Sequence, residues 1–157
     1  LRAMLSGEDK ESIVASIDGQ LIDHAYLSRK IVLIDFWFIR CHPCRRELPA
    51  LSELSKMYPN KEIIILSICR DDASSIKEYD MDHSDTNIHI IANAHPRLTN
   101  EGVFNFPFKA LINPKGEIVY SFLGGKKTVT PVEDFVEDMS SKIDALKTYA
   151  SLTSSLD

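Results

Sequence analysis

The run Ile31-Val-Leu-Ile-Asp-Phe-Trp-Phe-Ile39 passes directly into Arg40-Cys41-His42-Pro43-Cys44-Arg45-Arg46. One acid, Asp35, interrupts an otherwise apolar and aromatic stretch, which is the pattern of a central strand covered on both faces. Beyond the cysteines, Leu48, Leu51, Leu54 and Tyr58 recur on one helical stripe that Pro59-Asn60 ends, with Pro49 inside it predicting a kink. A buried strand that delivers Cys-x-x-Cys to the mouth of a helix suits a reversible dithiol. The strand fixes the first sulfur, and the free N–H groups and positive dipole of the helix N-terminus favour thiolate over thiol.

Structural zinc is the competing use of such a pair, but it takes four ligands, commonly from two pairs. The only other cysteine, Cys69, stands alone at the end of a second apolar strand, Glu62-Ile-Ile-Ile-Leu-Ser-Ile-Cys69. The spacing therefore favours redox chemistry. Cys69 reads most simply as a small core hydrophobe.

A chain of 157 residues with 44% hydrophobic content can bury one sizeable core and is too short for two ordinary domains. Its formal charge of -5 gives no support for a nucleic-acid surface. The one dense basic cluster, Arg40 with Arg45 and Arg46, brackets the cysteines, where it acts on a thiolate. No stretch reaches the roughly 18–20 apolar residues of a membrane span. The first residue is Leu1 rather than Met, so the chain is expected to be a trimmed or mature form.

Residues 1–10 are mixed and polar and are expected to be a flexible leader, followed by one domain over 11–150 and a tail over 151–157. Asp18-Gly19, between Ile13-Val-Ala-Ser-Ile17 and Gln20-Leu-Ile22, predicts an N-terminal β-hairpin. Asp71 to Asp80 predicts a short helix, Asn87 to Ala92 a strand, and Pro96 to Phe104 a helical turn. Pro107 to Ile112 and Glu117 to Leu123 predict a second hairpin around Asn113-Pro-Lys-Gly116. Thr130-Pro131-Val132-Glu133 reads as a capping box opening an amphipathic closing helix, with Val132, Phe135, Val136, Met139, Ile143 and Leu146 on its inner stripe.

This order of elements resembles the thioredoxin superfamily over almost the whole chain. Asp35 lies six residues before Cys41, Pro49 five after Cys44, Pro107 opens the penultimate strand after Phe106, and Gly124 closes the hairpin. The N-terminal hairpin, the long stretch between Cys44 and Pro107, Arg45-Arg46-Glu47-Leu48-Pro49 and Leu111-Ile-Asn-Pro-Lys-Gly116 are similar to the TlpA/ResA-like branch of thiol-disulfide oxidoreductases. The resemblance implies an α/β, thioredoxin-like fold. Its central mixed β-sheet is flanked by helices, with an N-terminal β-hairpin and an insertion between the second central strand and the cis-proline strand. It also implies a monomeric enzyme, periplasmic or membrane-tethered facing the periplasm, with a cytoplasmic one as the alternative. Such an enzyme works on protein thiols and disulfides with a recycling redox partner and needs no cofactor or metal.

In that frame Cys41, partly exposed at the helix end, is the nucleophile, and Cys44, one turn inside, resolves the mixed disulfide. His42 and Arg40 tune the sulfur electrostatically, and Pro43 starts the helix without wasting an N–H. Asp35, buried in its strand, is the expected proton acceptor for Cys44, because burial raises a carboxyl towards neutral pH. The branch also uses an acid elsewhere, which makes Asp71 and Asp72 the alternatives. The resemblance further implies that Pro107 is cis and that Phe106, Pro107 and Trp37 line a substrate groove, where an extended chain pairs like an added strand, while the residues themselves favour Trp37 as packing beneath the motif.

A different class of function is a copper-binding module using Cys41, Cys44 and a histidine such as His95, since soft thiolates suit Cu(I). Copper chaperones of this fold usually space their cysteines by three residues, which argues against it. A peroxidase would want Thr or Ser three residues before the reactive cysteine, where Phe38 stands. His24, His83 and His89 have no ligand spacing.

Overall fold

The computed structural model describes residues 7–58, 62–79, 87–94, 105–123 and 130–154. In chain order the elements are β1 (Val14–Ala15), β2 (Leu21–Ile22), the single turn α1 (His24–Leu27), β3 (Ile31–Trp37), α2 (His42–Met57) and β4 (Ile63–Cys69). They continue with α3 (Ala73–Glu78), β5 (Ile88–Ile91), β6 (Phe108–Ile112), β7 (Ile118–Leu123) and α4 (Pro131–Ser154). The expected leader lies largely outside the described residues, as do the helical turn over 96–104, Gly124, His83 and His95. The closing helix reaches Ser154, four residues into the segment expected as a tail.

The main sheet has the order β5-β4-β3-β6-β7, with β3 parallel to β4 and antiparallel to β6. Every residue of β3 and β4 is buried, as two apolar runs without polar alternation require. Alternation along the strands divides the core in two. Leu33, Trp37, Ile63, Ile65 and Cys69 pack with Leu48, Leu51 and Leu54 of α2 and Phe135, Met139 and Ile143 of α4. Val32, Ile34, Phe36, Ile64 and Leu66 pack on the other face with Ile22 and Leu27. Each buried leucine of the α2 stripe contributes about 1.5–3 kcal/mol, so this stripe fixes α2 on the sheet.

The mixed sheet with flanking helices and an N-terminal two-stranded sheet is the architecture that the resemblance implied. β1 and β2 pair around Asp18-Gly19, and Ile17 N–H donates to the Ile90 carbonyl at 2.8 Å, so the hairpin covers the edge strand β5. The β6–β7 turn is held by Asn113 Oδ1, which accepts from the N–H groups of Lys115 and Glu117. Gly116 there has φ +83°, a conformation that favours glycine. At the far end of α2, Tyr58 Oη donates to Asp144 Oδ1 at 2.8 Å and ties the helix to α4.

Candidate active site

Cys41 is the N-cap of α2 and is joined to Cys44 by a disulfide, with the Cα atoms 5.3 Å apart. Its Sγ accepts the Cys44 N–H at 3.3 Å, and its carbonyl accepts from Arg45 N–H at 3.1 Å. The turn feeding it is fixed from both ends. Cys41 N–H donates to the Phe38 carbonyl at 3.0 Å, and Ile39 N–H donates to Asp71 Oδ2 at 2.7 Å. Pro43 stands at the second helical position, and the helix runs on through Pro49. Cys41 is only 5% exposed, a correction to the expectation of a partly exposed residue; it packs in one core cluster with Cys44, Trp37 and Leu48.

Between the sheet and α2, the helix that carries the dithiol, is a buried charge cluster. Asp35 and Lys109 are direct partners across the antiparallel β3–β6 pair, so their side chains share one face. That face also carries Leu33 and Trp37, under α2. Lys109 Nζ lies 2.9 Å from Asp35 Oδ1 and 2.6 Å from Glu47 Oε2; the second contact is a well-aligned hydrogen bond, the first an ion pair without that alignment. Glu47 comes from α2, three residues after Cys44 and so on nearly the same side of the helix. Two carboxylates and one ammonium leave a net charge of -1 when all are ionised.

Burial pushes the Asp35 carboxyl above its usual range, against the pull of Lys109 and with added repulsion from Glu47. Burial also works against the Lys109 ammonium, but the two carboxylates outweigh it and hold the side chain charged. The raised pKa makes Asp35 the group of the cluster that holds a proton more readily than an exposed aspartate, on the face packed under the helix that carries Cys44.

The Phe106–Pro107 peptide bond is cis. Phe106 packs edge-to-face on Phe38 with ring centres 5.2 Å apart, which sets the cis-proline segment against the turn that receives the Cys41 N–H. Trp37, expected to line the groove, is fully buried instead and donates its indole N–H to Ser67 Oγ at 2.8 Å. Its odd position in β3 sends the ring under α2, where it supports the motif from below. Arg40 and His42 are exposed at the helix mouth.

Asp71 is spent on the Ile39 N–H, and Asp72 caps α3 through the Ser75 N–H at 2.9 Å. Cys69 sits at the buried end of β4, and burial pushes its thiol up to about 12, so it remains protonated at neutral pH. His89 bonds Tyr26 Oη through Nε2 at 2.7 Å, on the sheet face away from the dithiol. Among the described residues, no three His, Cys, Asp or Glu side chains come together as a metal site. His95, the histidine of the copper alternative, lies outside them. Sequence reasoning missed Glu47 and Lys109.

The family model described as AhpC/TSA family matches residues 10–143. The chain belongs to that family. It is 27% identical over 126 residues to the thiol-disulfide oxidoreductase ResA of Halalkalibacterium halodurans, covering 80% of this chain and 71% of that protein. Its fold matches a secreted Mycobacterium tuberculosis disulfide oxidoreductase homologous to Escherichia coli DsbE, with TM-score 0.68, 18% identity, and coverage of 88% and 98% of the two chains. It also matches StoA from Bacillus subtilis, with TM-score 0.62, 18% identity, and coverage of 80% and 93%. The chain is thus a thioredoxin-like thiol-disulfide oxidoreductase of the ResA-like kind.

Proposed function

We propose that this enzyme exchanges disulfides with polypeptide substrates, Cys41 attacking and Cys44 resolving. The observation that carries the reading is the placement of a Cys41–Cys44 disulfide at the N-terminus of α2, the helix whose Glu47, three residues after Cys44, joins the buried Asp35–Lys109 pair. In the reducing direction, the Cys41 thiolate attacks a substrate disulfide, forming a mixed disulfide and expelling one substrate thiolate. Cys44 then gives its proton to the carboxylate cluster and attacks Cys41 Sγ; the second substrate thiolate leaves and the enzyme disulfide forms. Two electrons have passed to the substrate, and a partner dithiol returns them. The oxidising direction reverses the same steps.

Asp35 is the acceptor in this scheme, because burial raises its pKa and makes it a stronger base than an exposed carboxylate. His42 and Arg40 stabilise the Cys41 thiolate, and Phe106 and Pro107 pair with the substrate chain. We place the enzyme outside the cytoplasm, periplasmic or tethered and working as a monomer; one structural relative is described as secreted and another as an exposed lipoprotein. Among the described residues, no helix is long and apolar enough to cross a membrane.

The test is trapping. Cys44→Ser should accumulate a mixed disulfide with a cystine-containing protein such as insulin, because it keeps the attacking sulfur, whereas Cys41→Ser should accumulate none. Non-reducing electrophoresis after acid quench reads both. Equal trapping by the two variants would overturn the assignment of roles.

A further inference from the structure

Four of the chain's seven arginines, Arg40, Arg45, Arg46 and Arg70, gather around the dithiol of a chain whose formal charge is -5. All four are exposed. Arg40 precedes Cys41, Arg45 and Arg46 follow Cys44, and Arg70 follows β4, its N–H bonded to the Trp37 carbonyl at 3.1 Å. Two of the guanidinium groups are held on rings. Arg45 Nε donates to Tyr79 Oη at 2.7 Å, with Cζ 5.0 Å from the ring centre. Arg70 Cζ lies 4.2 Å from the centre of Phe38, whose ring meets Phe106 of the groove.

Three of these cations, Arg40, Arg45 and Arg70, have no carboxylate partner among the described residues. The acids that follow these arginines in sequence are committed elsewhere: Glu47 to Lys109, Asp71 to the Ile39 N–H, Asp72 to Ser74 and Ser75. A guanidinium lying on a ring loses little further freedom on binding and still presents N–H donors along its edge, a geometry that matches carboxylates. Two of them, on separate aromatic pairs, fit a chain bearing several carboxylates better than one small anion.

We propose that this arginine collar selects polypeptide substrates whose disulfide is flanked by Asp or Glu, Arg70 meeting a carboxylate beside Phe106 and Arg45 a second one beside α2. The proposal rests on the thiol–disulfide reading above and adds the substrate class.

The test uses three synthetic peptides with one internal disulfide and flanks of Glu, Gln or Lys. Each is turned over by the protein with dithiothreitol as reductant, and its kcat/KM is divided by its uncatalysed rate. At low salt the expected order is Glu above Gln above Lys, with about tenfold between the extremes, carried by KM and shrinking at high salt. The double variant Arg45→Glu/Arg70→Glu should invert the order. Because the ranking is read within one protein, partial loss of fold cannot mimic that inversion. Equal values for the three peptides, or an order that charge reversal leaves unchanged, would overturn the collar and leave the enzymatic reading intact. Failure to turn over any peptide would instead overturn the thiol–disulfide reading itself.

Discussion

Lys109→Met is expected to lower the stability of the oxidised protein by about 3–5 kcal/mol near pH 7, the range for removing one partner from a buried ion cluster. Lys109 is 1% exposed and holds both Asp35 and Glu47; without it, two buried carboxylates face each other with no cation. Asp35 already has a raised pKa with the ammonium present, and its loss raises it further. The folded variant therefore binds a proton that the unfolded chain, with an Asp pKa of about 3.9, gives up. Stability linked to that proton is fully present below the unfolded value and is lost as pH rises through the folded one. The deficit against the parent should accordingly be large in urea melts near pH 8 and much smaller near pH 5. An equal deficit at both would mean that Met packs badly and that charge is not the cause. The triple variant Asp35→Asn/Glu47→Gln/Lys109→Met removes all three charges and should recover most of the loss.

β3, β4 and the dithiol at a helix mouth could be read directly, since near-continuous apolar runs and a Cys-His-Pro-Cys junction are local signals. Asp35 was legible too, as the one polar residue in such a run. Lys109 was not. In Phe108-Lys-Ala-Leu-Ile112 a lysine near the strand start reads as solvent-facing, and only the long-range register Asp35↔Lys109 turns it inward. Glu47 did leave a signal, because it lies three residues after Cys44 and four before Leu51, on the buried stripe of α2. A count of that stripe without regard to polarity would have found it. The resemblance alone puts Trp37 in the groove; strand alternation in an apolar run puts it in the core, beneath the motif. The ring-held arginines depend on tertiary neighbours, Tyr79 for Arg45 and Phe38 for Arg70, which no local pattern joins.

Asp35→Asn is expected to change rate and stability in opposite directions, which separates a catalytic role from a structural one. Loss of a positioned general base typically slows its step by about 10²-fold, so attack of Cys44 on the mixed disulfide should slow by that order near neutral pH. The first attack by Cys41 should barely change, since the carboxyl serves Cys44 alone. In the parent, the resolution rate should rise with pH and level off as Asp35 loses its proton, and that bend should vanish in the variant. Stability should move the other way. Asp35 has a folded pKa above its unfolded value, so its ionisation destabilises the parent progressively as pH climbs from about 4 through the folded pKa. Asn cannot ionise, and the Lys109–Glu47 pair that remains is charge-balanced. The variant should match the parent near pH 4 and exceed it in urea melts at pH 8 and above. Stopped-flow decay of a preformed mixed disulfide reads the rate. If resolution keeps both its speed and its pH profile in the variant, the proton goes to Glu47, one turn beyond Cys44, and Asp35 is a structural member of the cluster.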